Sequence, residues 1–314
     1  MQQIAQNVHV DEARRSQRYL GCSPMDRLPS LEFSGGMKKI LIIGGTGKTG
    51  RRIVRRLQAA GRPVRTASRT GGDTPFDLDD PTTWAQALDG VAAVYVVEPN
   101  LRSGVDRQAR MPRFVAEAVA AGVQRLVLLS AHGVGHADDG HPLKAAEQAV
   151  RGSGIDWTIL RPDWFSQNFS ESFLLPGILD GSLSLPTGDR RTPFVDAEDI
   201  AEVAAAALTE DRHSGQIYQL TGPRAISFGE AADLISEATG RTIRHVDVAA
   251  EVFVGRRVAD GVPADVARLL SGLLVAIRDG RGAAVSDGVE RALGRPARRF
   301  EDYVAKTAAA GHWN

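Results

Sequence analysis

The stretch KKILIIGGTGKTGRRIVRRLQAAG, from Lys38 to Gly61, constrains the fold of this chain more than any other. An Ile-rich run gives way to clustered glycines, and Ile53, Val54 and Leu57 then recur at helical spacing before a terminal glycine. The pattern predicts a strand, a tight turn and a helix. A triphosphate-binding loop would be Gly-x-x-x-x-Gly-Lys-Ser/Thr. Ile42 stands where its first glycine belongs, so the Gly47-Lys48-Thr49 tripeptide is coincidence. The dinucleotide pattern fits in two ways: Gly45, Gly47 and Gly50 satisfy G-x-G-x-x-G, while Gly44, Gly47 and Gly50 satisfy G-x-x-G-x-x-G. Such glycines permit a tight turn, close approach of backbone to a pyrophosphate, and close packing of helix on strand. The helix N-terminus, with its unbonded N–H groups and its dipole, favours the anion. The loop Gly44, Gly45, Thr46, Gly47, Lys48, Thr49, Gly50 is therefore the candidate pyrophosphate site. Arg51, Arg52, Arg55 and Arg56 read as a solvated helix face.

The next strand, PVRTASR, ends in Ser68 and Arg69 with no acid before Asp73. A carboxylate at that place would bond a ribose 2′-hydroxyl and repel a 2′-phosphate, whereas an arginine can fork onto the phosphate. NADP(H) is expected over NAD(H), the alternative being an arginine that is simply solvated. The alternation continues through TPFDLDD, a strand ending near Asp77 as an adenine neighbour, then VAAVYVVEP, RFVAEAVAAG and RLVLLSA. A helix from about Pro142 to Gly152, the strand WTILRP, the helix DIAEVAAAALTE and the strand QIYQL follow. This is the rhythm of an α/β protein with a doubly wound parallel sheet, a Rossmann fold, whose ligands lie beyond the C-terminal strand ends. Val97, Pro99, Ser130 and Ala131 become candidate cofactor contacts on that ground.

The rhythm breaks after Trp164 and again after Pro223. Residues 37–163 plus about 193–222 are expected to form the dinucleotide-binding domain, and about 164–192 plus 223–314 a smaller, partly discontinuous substrate lobe. Residues 1–36 lack sustained periodicity and finish in Ser-Gly-Gly, which suits a disordered leader, an upstream start or an arm docking on a neighbouring subunit. The single Cys22 excludes an intrachain disulfide and a thiolate metal cluster. Lys+Arg and Asp+Glu both number 38, so no net field favours nucleic acid or an anionic membrane. No apolar run approaches the ~20 residues that span a bilayer. A soluble, cytoplasmic protein with a small-molecule partner is expected, with no metal and with its oligomeric state open.

The stretches GGTGKTG, ASRTGG, FDLDDPTTW, VYVVEP, LVLLSAHGV, EQAVRGSGIDWTILRPDWFSQNFSE, TPFVDAEDIAEVA, YQLTGPRAISF and LGRPARRFEDY span nearly everything from Ile40 onward. Through them the chain resembles the NmrA-like, atypical short-chain dehydrogenase/reductase family, and most of all its ergot-alkaloid-reductase-like branch, which includes bacterial members. The resemblance implies an NAD(P)H-dependent oxidoreductase acting on quinone, dye, phenylpropanoid or iminium compounds. Its alternative implication is a non-catalytic NADP sensor that acts through a protein partner.

Ordinary short-chain dehydrogenases carry Tyr-x-x-x-Lys at this point of the fold. Lys144 stands in the lysine's place, Gly140 occupies the tyrosine's, and none of Tyr19, Tyr95, Tyr218 and Tyr303 completes the motif. Acceptors that take hydride without a strong positioned acid, such as an iminium or a quinone, remain open. Lys144 either contacts the cofactor ribose or pairs on the surface with Glu147 or Gln148. His132 and His141 are candidate proton donors because imidazole titrates near neutrality, and each has an alternative structural role. Ser130 has no His-Asp arrangement beside it and reads as a cofactor contact. In the loop RPDWFSQNF, the rings of Trp164, Phe165 and Phe169 offer planes to a substrate and Asn168 a polar handle, unless they form lobe core. Asp199 is expected to cap the helix that follows it, and Ser227 with Glu230 to form a capping box.

Overall fold

Lys39–Ile43 (β1) sits at the middle of a sheet because its branched apolar side chains are covered on both faces. Ile40 and Ile42 enter one core, Leu41 and Ile43 the other, as the two-residue period of a strand requires. The chain turns through the glycines into α1 (Gly50–Ala59), then forms β2 (Val64–Ser68), β3 (Thr74–Pro75), α2 (Trp84–Leu88) and β4 (Val91–Val97). Next come α3 (Arg107–Ala120), β5 (Arg125–Leu129), α4 (Pro142–Arg151) and β6 (Asp156–Pro162). An excursion follows through α5 (Asn168–Glu171), α6 (Leu175–Leu179), β7 (Ser182–Leu185) and β8 (Arg191–Thr192). The chain returns as α7 (Ala197–Thr209) and β9 (Gln216–Leu220). It ends with β10 (Ile226–Ser227), α8 (Phe228–Thr239), β11 (Arg244–Asp247), α9 (Ala250–Ala259), α10 (Ala264–Arg278), α11 (Gly288–Leu293) and α12 (Phe300–Ala309). This computed structural model describes residues 38–98, 107–139, 141–282 and 284–314. The expectations placed on residues 1–36, Pro99 and Gly140 lie outside the described residues.

The central sheet has seven strands in the order β3-β2-β1-β4-β5-β6-β9, and every pair in it is parallel. Helices cover both faces, which is why its strands read as nearly unbroken apolar runs. On one face α2, α3 and α4 contribute Trp84, Met111, Phe114, Ala146 and Val150. Phe114 meets Phe76 and Trp84 edge-on, each at 5.4 Å. On the other face α1, α7 and α11 contribute Ile53, Leu57, Ile200, Val203 and Val289. Each such fully buried side chain contributes roughly 1.5–3 kcal/mol of transfer free energy. A third core, built on Phe169, Phe194, Phe228, Phe300 and Trp313, draws on the excursion and the C-terminal helices. Two small sheets frame it, β7 with β11 and β8 with β10.

Three local expectations are corrected. The strand predicted over TPFDLDD shrinks to Thr74–Pro75, because a proline lacks the N–H that a ladder needs and this strand is the sheet's edge. Asp196, not Asp199, caps α7, accepting from the Glu198 amide at 2.8 Å. Asp199 lies inside the helix, fully buried, where Arg295 Nη2 donates to it at 2.8 Å and the Arg298 amide at 2.7 Å. Ser227 does cap α8, with its Oγ 3.0 Å from the Glu230 amide. The Glu230 carboxylate turns to Arg224 instead of back to Ser227, so the cap is one-sided.

Because the strands run parallel, Gly44, Ser68, Val97, Ser130 and Pro162 all arrive at one edge of the sheet. That edge is where the site is sought.

Candidate cofactor and substrate site

The glycines of the loop do different jobs. Gly44 holds φ at +70°, a left-handed conformation that a side chain resists, and a Cβ on it would press on Val97 at 3.2 Å. A Cβ at Gly45 would lie 2.8 Å from the Thr66 Cβ of β2. At Gly50 it would lie 2.1 Å from the Gly44 carbonyl oxygen, so α1 crosses β1 only because residue 50 has no side chain. Gly47 is exposed, and a Cβ on it meets only the Gly44 oxygen within 4 Å, at 3.1 Å. Its outer side is open to a ligand.

The amides of Lys48, Thr49 and Gly50 have no acceptor among the described residues. They belong to the orphan donors of a helix start, and anions are held by such groups. The Thr49 hydroxyl is turned inward, accepting from the buried Tyr95 OH at 2.9 Å, which leaves the amide for a ligand. Lys48 adds positive charge to the same end of α1, while Arg51 and Arg52 there are paired with Glu171. A cradle of open amides over small residues, beside a lysine, suits a pyrophosphate.

The turn after β2 adjoins this loop: a Cβ at Gly71 would stand 3.6 Å from Thr46 Cγ2. Ser68 Oγ donates to the Gly71 carbonyl and shapes the turn. Arg69 is exposed, with no hydrogen-bond or ion-pair partner among the described residues. The acid that follows it, Asp73, is already occupied: the Thr66 amide donates to it at 2.8 Å and the Thr66 hydroxyl at 3.1 Å. Asp77 is half-buried in the turn beyond β3, where one carboxylate oxygen accepts from the Asp79 amide at 3.0 Å.

At the ends of β5 and β6 the structure assembles a cluster that local reading of the chain does not show. Ser130 Oγ donates to Glu147 Oε1 at 2.5 Å, and Arg161 grips the same carboxylate through Nε at 2.8 Å and Nη2 at 2.5 Å. Glu147 is buried among Leu143, Ala146 and Val150 on the inner stripe of α4. An acid standing in an apolar helical stripe is the signal that marks it. A second buried pair, Glu98 with Arg110, lies at the end of β4, where an acid closes an otherwise apolar strand. Ala131 is half-buried beside Ser130.

Lys144 bonds neither Glu147 nor Gln148, the surface partners of one of its two readings. Its Nζ donates to the Ala137 carbonyl at 2.6 Å and lies 3.2 Å from Asp139 Oδ1, so the preceding loop holds it. His132 is exposed and its amide is bonded to the Pro162 carbonyl at 2.9 Å. His141 caps α4, its Nδ1 accepting from the Leu143 amide at 3.2 Å. Burial pushes its imidazole below the usual histidine range, against the pull of Glu147.

The aromatic loop divides. Phe169 is fully buried between Phe194 at 5.2 Å and Phe300 at 5.4 Å, so it is lobe core and has no face to offer a substrate. Trp164 is half-buried, leaning edge-on against Phe173 and Phe228 at 6.1 and 6.3 Å. Phe165 pairs with Val195 and packs on the core of the sheet. Asn168 Oδ1 accepts from Lys48 Nζ at 3.0 Å, which links the loop to the glycine turn.

The four arginines of α1 are not simply a solvated face. Arg52 reaches Glu171 at 2.6 Å and Glu198 at 3.1 Å, and Arg51 shares Glu171. Arg55 and Arg56 meet Glu198 at 2.6 and 2.8 Å. The stripe that reads as solvent-facing is the seam against α5 and α7. Among the described residues no group of three or more potential ligands is placed to hold a metal, and no helix is long and apolar enough to cross a membrane.

Known proteins resemble this chain in sequence and in fold. A family model described as NAD(P)H-binding matches residues 44–211. The uncharacterized oxidoreductase YesF of Bacillus subtilis is 36% identical over 282 residues, covering 87% of this chain and 96% of its own length. An NAD(P)H azoreductase of Xenophilus azovorans is 35% identical over 288 residues, covering 86% and 98%. Among solved structures, the triphenylmethane reductase of a Citrobacter species in complex with NADP(H) superimposes with a TM-score of 0.69. It is 22% identical over 86% of this chain and 99% of that one, a likeness of fold.

Proposed function

The chain belongs to the NAD(P)H-binding, NmrA-like family and is an NAD(P)H-dependent oxidoreductase, and from that premise we propose that it prefers NADP(H) and reduces a small planar acceptor, an iminium, a quinone or a related conjugated compound. The observation that carries the cofactor preference is the pairing of Asp73 with Thr66, which leaves Arg69 as the charge at the end of β2 available to a 2′-phosphate. The open amides of residues 48–50 would hold the pyrophosphate, with Gly44, Gly45, Thr46 and Gly47 giving it room. Ser68, Asp77, Val97, Ser130, Ala131 and Lys144 would border the rest of the cofactor. When bound, a reduced nicotinamide supplies hydride.

The acceptor class rests on the tyrosine that the sequence lacks four residues before Lys144. All three described tyrosines are buried and engaged: Tyr95 with Thr49, Tyr303 with Ser170, and Tyr218 with His213. Burial pushes the hydroxyls of Tyr95 and Tyr303 well above the usual tyrosine range. A ketone reduced without a donor would leave a strongly basic alkoxide. An iminium becomes a neutral amine and a quinone becomes a stabilised phenolate, so neither needs that donor. Trp164, Phe165 and Asn168 would border such an acceptor, and the relatives named for azo and triphenylmethane reduction fit conjugated acceptors. Oxidation of NADPH against a panel of quinones and cyclic iminium ions, with cofactor binding measured in parallel, tests the proposal. Turnover with at least one of these is expected. Tight cofactor binding without turnover of any would replace it with the cofactor-sensing reading.

A further inference from the structure

Helix α5 has four residues, too few for its own hydrogen bonds to hold it. Each of the four is also tied to a residue far away in the sequence. Asn168 accepts from Lys48 Nζ of the glycine loop at 3.0 Å. Glu171 accepts from Arg52 of α1 at 2.6 Å. The Phe169 carbonyl accepts from the indole Nε1 of Trp313 at 2.9 Å, and Ser170 Oγ accepts from Tyr303 OH at 2.8 Å. Two ties therefore lead to the cofactor loop and its helix, and two to the C-terminal end of the chain. The tail is itself locked, because Arg241 donates to the Trp313 carbonyl at 2.6 Å. Trp313 is fully buried and Tyr303 nearly so, and so neither bond competes with water.

We propose that Trp313 and Tyr303 are positioning residues for the reductase reaction. From the far end of the sequence they fix α5, and through α5 they set the Trp164–Asn168 loop relative to the glycine loop. This inference rests on the reading of that loop as substrate-facing. The loop enters at Asp163, whose amide bonds the Leu220 carbonyl of β9; Val195 bonds its Trp164 and Ser166 backbone, Gln167 is held by Asp196 and the Ala197 amide, and it leaves through α5. Beyond Gln167, its far end is held by the four ties of α5. Slack in α5 becomes displacement between cofactor site and acceptor site, because Lys48 and Arg52 grip the same helix. Misplacements near 1 Å can cost ~10²-fold in rate.

The test uses Tyr303→Phe and Trp313→Phe, each of which keeps a ring and removes one donor. Hydrogen exchange of the segment 164–172 is followed with and without NADPH, and turnover of a naphthoquinone is measured beside it. Faster exchange at residues 168–171 is expected in both variants, with exchange at residues 44–50 and NADPH affinity unchanged. The kcat should fall about tenfold, the scale of one net hydrogen bond, while KM for NADPH holds. Unchanged exchange at 168–171 overturns the proposal, and this arm needs no substrate. If Trp313→Phe proves too unstable to study, Tyr303→Phe, which loses a single oxygen, decides alone. A Trp164→Ala variant separates the two readings. Loss of turnover there with none in Tyr303→Phe or Trp313→Phe overturns the positioning role. Undiminished turnover in Trp164→Ala, with turnover lowered in the two donor variants, overturns the substrate-facing loop instead.

Discussion

Lys48 Nζ and Asn168 Oδ1 stand 3.0 Å apart, so the glycine turn of the candidate cofactor site and the loop entering the third core share a hydrogen bond across the sheet edge. Lys48 is half-buried. Burial holds its ammonium below the usual lysine range, with Glu171 pulling the other way and Arg51 and Arg52 adding to the depression.

Lys48→Met should weaken NADPH binding by about 1.5–3 kcal/mol, the range for a hydrogen bond to a charged group, with the fold retained. Because the ammonium is lost earlier than in an ordinary lysine as pH rises, wild-type affinity should decline on the alkaline side before pH ~10.4. That decline should vanish in the variant. Calorimetric titration across pH measures both, and an identical alkaline profile in Lys48→Met would remove Lys48 from the phosphate site.

Arg69→Ala should cost NADPH about 1.5–3 kcal/mol and leave NADH nearly unaffected, since only the first carries the 2′-phosphate. Equal affinities of the wild type for the two cofactors would defeat the assignment of Arg69. Asp73 is the control: bonded to Thr66, it should alter the turn when replaced by alanine rather than invert the preference.

Gly47→Val and Gly50→Ala should fail in opposite ways. A side chain at 47 enters the open space where the pyrophosphate would approach, so binding is lost and the melting temperature is kept. A Cβ at 50 would sit 2.1 Å from the Gly44 oxygen, so it costs stability at or beyond the ~1–3 kcal/mol of an overpacked core. Thermal melts and cofactor titrations of both variants read the difference. Normal NADPH binding by Gly47→Val would reduce the loop to a turn.

Lys144→Met should lower turnover by less than the ~10²–10⁴-fold of a general acid. Its Nζ is held by the Ala137 carbonyl and Asp139, and no tyrosine stands four residues before it for the lysine to activate. Complete loss of activity with unchanged NADPH affinity would make it the proton donor.

Acid should destabilise the fold through His213. The ring is fully buried, its Nδ1 sharing a hydrogen bond with Tyr218 OH at 2.9 Å. Burial, helped by Arg212 and opposed by Glu210, lowers its pKa. The unfolded chain then takes up the proton first, so the stability this histidine contributes is complete above pH ~6.5 and is lost as pH falls toward the folded value. The melting temperature should drop between pH 7 and pH 5 in the wild type and drop less in His213→Gln. Equal slopes would place the acid sensitivity elsewhere.

Local periodicity was enough to find the strand, glycine turn and helix from Lys38 to Gly61, the alternation that follows, and the sheet edge where Gly44, Val97 and Ser130 converge. Strand and helix faces repeat over two or 3.6 residues, so a short stretch carries that information by itself. Partners are another matter. Nothing near Glu147 in the chain names Arg161 and Ser130 as the groups it binds, and nothing in the α1 arginines names Glu171 and Glu198. Asn168 finds Lys48, and Phe169 turns into a core closed by Trp313, only after the sheet has stacked the excursion, α1 and the C-terminal tail against one another. A hydrogen bond or ion pair between residues far apart in sequence depends on which helices are brought side by side. No pattern within one helix records its neighbour, so those contacts were decided by the tertiary structure.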